Sequence, residues 1–330
     1  METKLNYKRT FLIGLAFLSI CSFWQMYDNI IPLILQNTYH LGETMTGAVM
    51  ALDNVLAIFL LPVCGMLSDK VHTKLGRRMP FIVVGTILAV IFMMMLPMID
   101  NAEKARWATG GSFSNQVFFL GVLFLTLVSM GLYRSPAVAL MPDVTPNHLR
   151  SRANAVINLM GAVGGVYALI MIKVLVGKGE TPDYLPLFSS IAAVMAIAVG
   201  ILVITIQENK LREEVEKAEA ANADTIEEKA MAEGVEAAGE IEAVGDTGEA
   251  KAFEEKQQTA KTESTKDMPK DVKRSMYFML ASIFLWFTAY NAVTTAFSRY
   301  TKVVWKMEGG SFANCLMVAT VAAIFSYIPS

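Results

Sequence analysis

Gly65-Met-Leu-Ser-Asp69-Lys70-Val-His-Thr-Lys74-Leu-Gly76-Arg77-Arg78-Met-Pro80 lies between two long apolar stretches. A helix of roughly twenty apolar residues spans a bilayer. The run is therefore a short basic hinge between two membrane spans. Its four cations, Lys70, Lys74, Arg77 and Arg78, place it on the cytoplasmic side.

Composition supports a membrane chain. The sequence is 54% hydrophobic with a mean hydropathy of +0.44, more apolar than soluble domains of this size. The pattern predicts an all-α protein with eight spans, at 11–36, 46–67, 80–99, 116–141, 153–176, 184–206, 275–297 and 311–328. Lys4, Lys8 and Arg9 precede the first span, and the 37–45 loop has no Lys or Arg. Arg150 and Arg152 follow span 4. This alternation places the N-terminus inside. Cys21, Cys64 and Cys315 all fall in apolar stretches and read as small core residues.

The net charge of −2 conceals a split. Residues 207–271 carry 19 acidic and 9 basic side chains, a net of −10, against a net of +8 elsewhere. Rich in Glu, Ala and Lys, the segment has too few large apolar residues to build a core. It reads as a cytoplasmic linker, disordered or partly helical. The expected organisation is a six-helix bundle at 1–206, the linker at 207–271, and the start of a second bundle at 272–330. Two spans cannot make a second six-helix bundle, so a truncated product or a fragment is expected.

Charges in the bilayer core cost about 2.5–3.5 kcal/mol on insertion scales and mark functional candidates. Asp28 falls in span 1, Asp53 in span 2, Arg134 in span 4 and Lys173 late in span 5. At 1.5 Å per residue, Asp28 lies about 25 Å along the outward-running span 1 and Asp53 about 10 Å below the outer end of span 2. The two share a depth. Arg134 lies about 27 Å along the inward-running span 4, so Asp69 or Asp143 is its expected partner. Gln25, Asp28 and Asn29 share one helix face, flanked by Trp24 and Tyr27. Aromatic faces stack on sugar C–H surfaces, and carboxylate and amide groups bond hydroxyls, which suits a polyol. Simple packing of the two aromatics fits the same residues. A buried carboxylate needs a partner or a proton, so Asp28 is the leading candidate for proton coupling. Tyr290 and Asn291, with Trp286, repeat the aromatic-plus-amide theme in span 7. Gly161 and Gly165 form a small-residue face for close helix packing, and Asn154 and Asn158 fit hydrogen bonds between helices. Asp69, Arg77, Arg78, Arg134 and Asp143 are the gating candidates, because ion pairs at span ends can hold one conformation and break in another.

The G-x-x-x-D-[RK]…G-[RK]-[RK] pattern of the 65–78 loop resembles the signature between helices 2 and 3 of major facilitator superfamily transporters. The lengthened loop, with Asp69-Lys70 through Arg77-Arg78-Met-Pro-Phe-Ile82, looks like the sucrose:proton symporter branch and the related glycoside–pentoside–hexuronide:cation symporters. Arg134-Ser-Pro136-Ala-Val-Ala139-Leu140-Met-Pro-Asp143 resembles that branch's span-4 end. The branch's Arg before Ala-Leu is Val138 here, with Arg134 one turn earlier. The cation-site acids of melibiose-type carriers fall on Ala57 and Leu61, leaving Asp28 and Asp53. The resemblance implies the major facilitator fold, a small-molecule sugar or glycoside as substrate, and H+ as coupling ion, with Na+ as the alternative.

The expected function is thus proton-coupled sugar uptake by alternating access, in the plasma (inner) membrane, by a monomer. Two rivals stand: an efflux antiporter of the same superfamily, and a non-transporting sensor or partner subunit. His40, His72 and His148 have no metal-ligand spacing, and neither an enzyme motif nor a bound cofactor is expected. The basic residues follow membrane topology instead of forming one patch, which argues against nucleic acid.

Overall fold

The computed structural model describes residues 5–71, 73–109, 115–177, 179, 182–215, 217 and 270–326. Among these the structure is all-helical, apart from an isolated bridge between Thr73 and Gly76. The helices are α1 (Tyr7–Asn37), α2 (Glu43–Met50), α3 (Leu52–Lys70), α4 (Met79–Thr109), α5 (Gln116–Asp143), α6 (Arg150–Leu175), α7 (Leu185–Thr205), α8 (Lys270–Val303) and α9 (Ala313–Ser326). Residues 208–215 are also helical. Seven stretches among the described residues are long and apolar enough to cross a membrane, with α2 and α3 together forming one of them. The protein is a multi-pass membrane protein. The predicted eighth span corresponds to α9, whose apolar part, Ala313–Ala322, is shorter than a full crossing.

The chain divides into two compact units, 1–218 with 294–330, and 219–293. Within the first, α1 packs on α6 and α7, α4 on α5 and α7, and α3 on α5. The core holds Phe23, Met26 and Ile30 of α1, Tyr133 of α5, Ile172 of α6 and Phe188 of α7. Helix α1 starts where Asn6 Oδ1 accepts from the Arg9 amide at 3.2 Å. Helix α7 starts where Asp183 Oδ1 accepts from the Leu185 amide at 2.9 Å, with Pro186 in its first turn.

The α1–α6 contact is closest at Gly164. A Cβ there would sit 2.1 Å from the Leu18 carbonyl oxygen, and Ser22 Oγ donates to the Gly164 carbonyl at 2.9 Å. Among the α6 glycines Gly161 is next, with Cys21 Sγ 2.9 Å from its would-be Cβ. At Gly165 the corresponding gap to Gln25 Oε1 is an ordinary 3.6 Å. The tight pair is therefore Gly161 and Gly164, not Gly161 and Gly165. Tyr133 joins α5 to α1, bonding Ser19 Oγ at 2.5 Å and donating to the Ala16 carbonyl at 3.0 Å.

Helix α4 continues ten residues past the predicted end of its span. The extension is polar but anchored. Asp100 is fully buried and accepts from Lys104 Nζ at 2.5 Å. Lys104 also donates to the Pro182 carbonyl at 2.6 Å and lies 4.8 Å from the Tyr184 ring centre. Glu103 pairs with Arg106 and accepts from the Asn115 amide. These bonds make the extension a clasp joining α4 to the starts of α5 and α7. At the far end of α8, Arg299 pairs with Glu43 of α2 at 3.3 Å and donates to Gln36 of α1.

Residues 218–269 of the predicted linker lie outside the described residues. Its first turns do not read as free tether. Glu208 is fully buried, Asn209 Nδ2 donates to the carbonyls of Thr73 and Lys74 at 3.0 and 3.3 Å, and Glu214 pairs with Arg9 at 3.2 Å.

Candidate functional site

Two groups of polar side chains stand out, one within the membrane spans and one at the loop that joins α3 to α4.

The first lies where α1, α3 and α5 meet. Trp24, Asp53, Asn54 and Arg134 line a small pocket with Leu60, Leu127 and Gly131. The Arg134 guanidinium stands 5.6 Å from the Trp24 ring centre, a cation–π geometry, and its charge acts on Asp53. Asp53 in turn acts on Asp28, and both act on Tyr27. Trp24, Tyr27 and Phe23 form a ring cluster, with Trp24 and Tyr27 edge-to-face at 5.4 Å. Asn29 Nδ2 donates to the Gln25 carbonyl at 2.8 Å. Two buried polar atoms here, Trp24 Nε1 and Tyr27 Oη, and Asn29 Oδ1 on the same helix, have no hydrogen-bond partner among the described residues. Buried polar groups are normally satisfied, so these are open to a further partner. The pocket's room is about 30 Å³, enough for a water but far below the roughly 300 Å³ of a small ligand pocket. It forms a polar wall, not an enclosed chamber.

Arg134 requires a correction. Its expected partners, Asp69 and Asp143, are held by Arg77 and Arg78. Long side chains on a helix lean toward its N-terminus. The guanidinium instead faces Trp24 of α1.

The second group is the loop. Arg78 Nη2 meets Asp69 Oδ1 at 2.6 Å, and Arg78 Nε meets Asp143 Oδ2 at 2.9 Å. Arg77 meets Asp143 at 2.9 Å and Asp69 at 3.7 Å. Arg78 Nη1 also donates to Ser68 Oγ at 2.5 Å. Two carboxylates on different helices are thus bridged by two neighbouring guanidiniums. Burial works against the Arg77 charge. The hydrogen bond and charge of Asp143, with Asp69 and Glu208, outweigh it and hold its pKa above the ordinary value.

Glu208 completes this group, and its place within the acidic segment hides it from sequence reading. Its carboxylate accepts from the amides of Arg77, Arg78 and Met79 at 2.9–3.0 Å. These are the open donors at the start of α4, where negative charge is favoured. Pro80, next in line, has no N–H to satisfy. Gly76 makes room for it, since a Cβ there would lie 2.1 Å from Glu208 Oε2 and the backbone has φ +121°.

Trp286, Tyr290 and Asn291 lie on α8 in the second unit. Trp286 and Tyr290 stack at 5.9 Å, and all three are exposed.

Comparison with known proteins fits this architecture. Sucrose transport protein SUT3 of Oryza sativa subsp. japonica is 26% identical over 137 residues, covering 39% of this chain and 27% of that protein. Sucrose transport protein SUC4 of Arabidopsis thaliana is 36% identical over 117 residues, 33% of this chain and 22% of that protein. Sucrose transport protein SUC3 of Arabidopsis thaliana is 28% identical over 120 residues, 34% and 20% respectively. The matched part thus spans about a quarter of the length of these curated relatives. A profile described as Major Facilitator Superfamily matches residues 7–330, so the chain belongs to that superfamily.

Proposed function

We propose that this chain takes part in secondary active uptake of a sugar or glycoside, driven by a proton, through alternating access. One observation carries the reading: Asp53 stands within electrostatic reach of both Asp28 and Arg134 beside Trp24 inside the membrane spans, where the buried Trp24 Nε1 and Tyr27 Oη have no hydrogen-bond partner among the described residues. Charge of both signs beside an aromatic face suits a neutral polyol, and the names of the curated relatives point to sucrose. Asp28 has no cation within bonding distance among the described residues, so proton uptake is its route to neutrality in the bilayer. Asp53 is held by the Arg134 charge. Gln25 and Asn29 orient hydroxyls. The Asp69, Arg77, Arg78 and Asp143 cluster, with Glu208, gates the cytoplasmic side and the N-terminus faces the same compartment.

The test is sugar-driven proton uptake into liposomes carrying the full chain, read by an internal pH dye. Sucrose added outside is expected to acidify the lumen, and Asp28→Asn to bind sugar without acidification. Normal acidification by Asp28→Asn would remove Asp28 from coupling. Alkalinisation on sugar addition would replace symport by exchange.

A further inference from the structure

An apolar groove runs between α4 and α7 on the outside of the bundle, away from the polar wall. Its volume is about 420 Å³. Val83, Ile87 and Ile91 of α4 form one side, and Ala196, Val203 and Ile204 of α7 the other. Gly200 opens its middle, since a Cβ there would meet no atom within 4 Å. Thr86 adds no polarity, because its hydroxyl donates to Ile82 of its own helix at 2.7 Å. From Ala196 to Ile204 the groove runs about 12 Å along α7. One leaflet of the hydrocarbon core is about 15 Å deep. The groove therefore has the length of an acyl chain's path through that leaflet, and lies in the leaflet that the 71–78 loop faces.

The end of the groove nearest that loop is basic. Val83 stands one turn above Met79, whose amide bonds Glu208. Asn209 bonds the carbonyls of Thr73 and Lys74, which brings Lys74 and Lys210 to the foot of α4 and α7. Both lysines are exposed, and neither has an ion-pair partner among the described residues. The acids of 208–215 are engaged: Glu208 by three amides, Glu213 by Lys217 and Glu214 by Arg9. An apolar slot of leaflet depth, with two free cations at its interfacial end, matches a lipid with one negative headgroup.

We propose that this groove is a binding site for an anionic glycerophospholipid, with one acyl chain between α4 and α7 and the phosphate between Lys74 and Lys210. Binding there would fasten the foot of α4 to the helical stretch at 208–215. The site rests on the membrane topology read above, but not on sugar or proton transport.

The test is lipid retention by native mass spectrometry of the full chain in mild detergent. Phosphatidylglycerol and phosphatidylcholine of identical acyl chains are added together. The expected result is one retained phosphatidylglycerol, favoured on the order of tenfold. Gly200→Phe, which fills open space, should remove it. Lys74→Gln with Lys210→Gln, both exposed, should keep a lipid but bring the preference close to one. Equal retention of the two lipids by the unaltered chain would overturn the proposal. So would a phosphatidylglycerol preference untouched by both variants, which marks general annular contact only. Transport is read separately, so a failed sugar assay leaves this result standing.

Discussion

Replacing Glu208 by Gln isolates what holds the loop to the start of the acidic segment. The carboxylate accepts from three consecutive amides, two on Oε1 and two on Oε2, with Arg78 shared. Glutamine keeps the shape but offers one acceptor oxygen. Either orientation turns its NH2 toward a backbone N–H, so at least one amide donor is left unsatisfied. That loss costs about 1–3 kcal/mol in a buried site. The surviving bonds lose their charge assistance, on the order of 1 kcal/mol, and the α4 N-terminus loses a favourable charge worth about 0.3–1 kcal/mol. A total near 3 kcal/mol is on the order of 100-fold in an opening equilibrium. Hydrogen–deuterium exchange reads it directly. The amides of 77–79 should exchange about two decades faster in Glu208→Gln, with those in the middle of α5 unchanged. Exchange within threefold of the parent would refute the latch, whatever the variant does to activity.

Other perturbations test the packing. Gly164→Leu drives a side chain into the Leu18 backbone of α1, which cannot swing aside. Overpacking of this kind costs about 1–3 kcal/mol or more, and should appear as a lower Tm in detergent. An equal change placed at Gly200, where nothing is near, is the control. Lys104→Met strands the buried Asp100 carboxylate and should destabilise by about 3–5 kcal/mol, whereas Lys104→Met with Asp100→Leu should recover most of the loss. A double variant no better than the single one would contradict that pairing. Burial, and then the Asp100 carboxylate, push the Tyr184 phenol above its usual pKa. The folded chain therefore keeps a proton that the unfolded chain releases. This contribution is complete below about pH 10 and is lost as pH rises beyond it. Tm should fall more steeply above about pH 10 in the parent than in Tyr184→Phe.

Helix positions are legible in the sequence because each crossing needs an unbroken apolar run, and Lys and Arg punctuate the runs. The Asp69, Arg77, Arg78 and Asp143 cluster is partly legible, since all four lie at span ends. Their pairing is not, because it depends on which helix ends are neighbours. Arg134 shows why depth counted along a sequence misleads. A long side chain moves its charge well away from its Cα, toward the helix N-terminus. Glu208 is illegible for a different reason. It sits among many acids of the same segment, and only the tertiary fold brings it against three open amides. Gly164 is hidden by spacing, because Gly161 and Gly165 fit the i, i+4 pattern while the true contact uses i, i+3. The polar end of α4 looks like loop, since hydropathy counts Asp100 and Lys104 separately and misses that they neutralise each other.

The tie between Arg299, Glu43 and Gln36 differs in kind from the network around Arg77 and Arg78. Glu43 is largely exposed, at 77% of its side chain, while the Arg78 side chain is 7% exposed. An exposed pair is worth about 0–1 kcal/mol and weakens with salt. Raising ionic strength from about 0.01 M to 0.15 M shortens the screening length from about 30 Å to about 8 Å. The Arg299 end of α8 is therefore fastened by something ions can loosen, and Arg78 at the 71–78 loop by something they reach far less. Salt becomes a one-sided handle on this molecule: it frees the rim at Arg299 while leaving the foot of α4 shut.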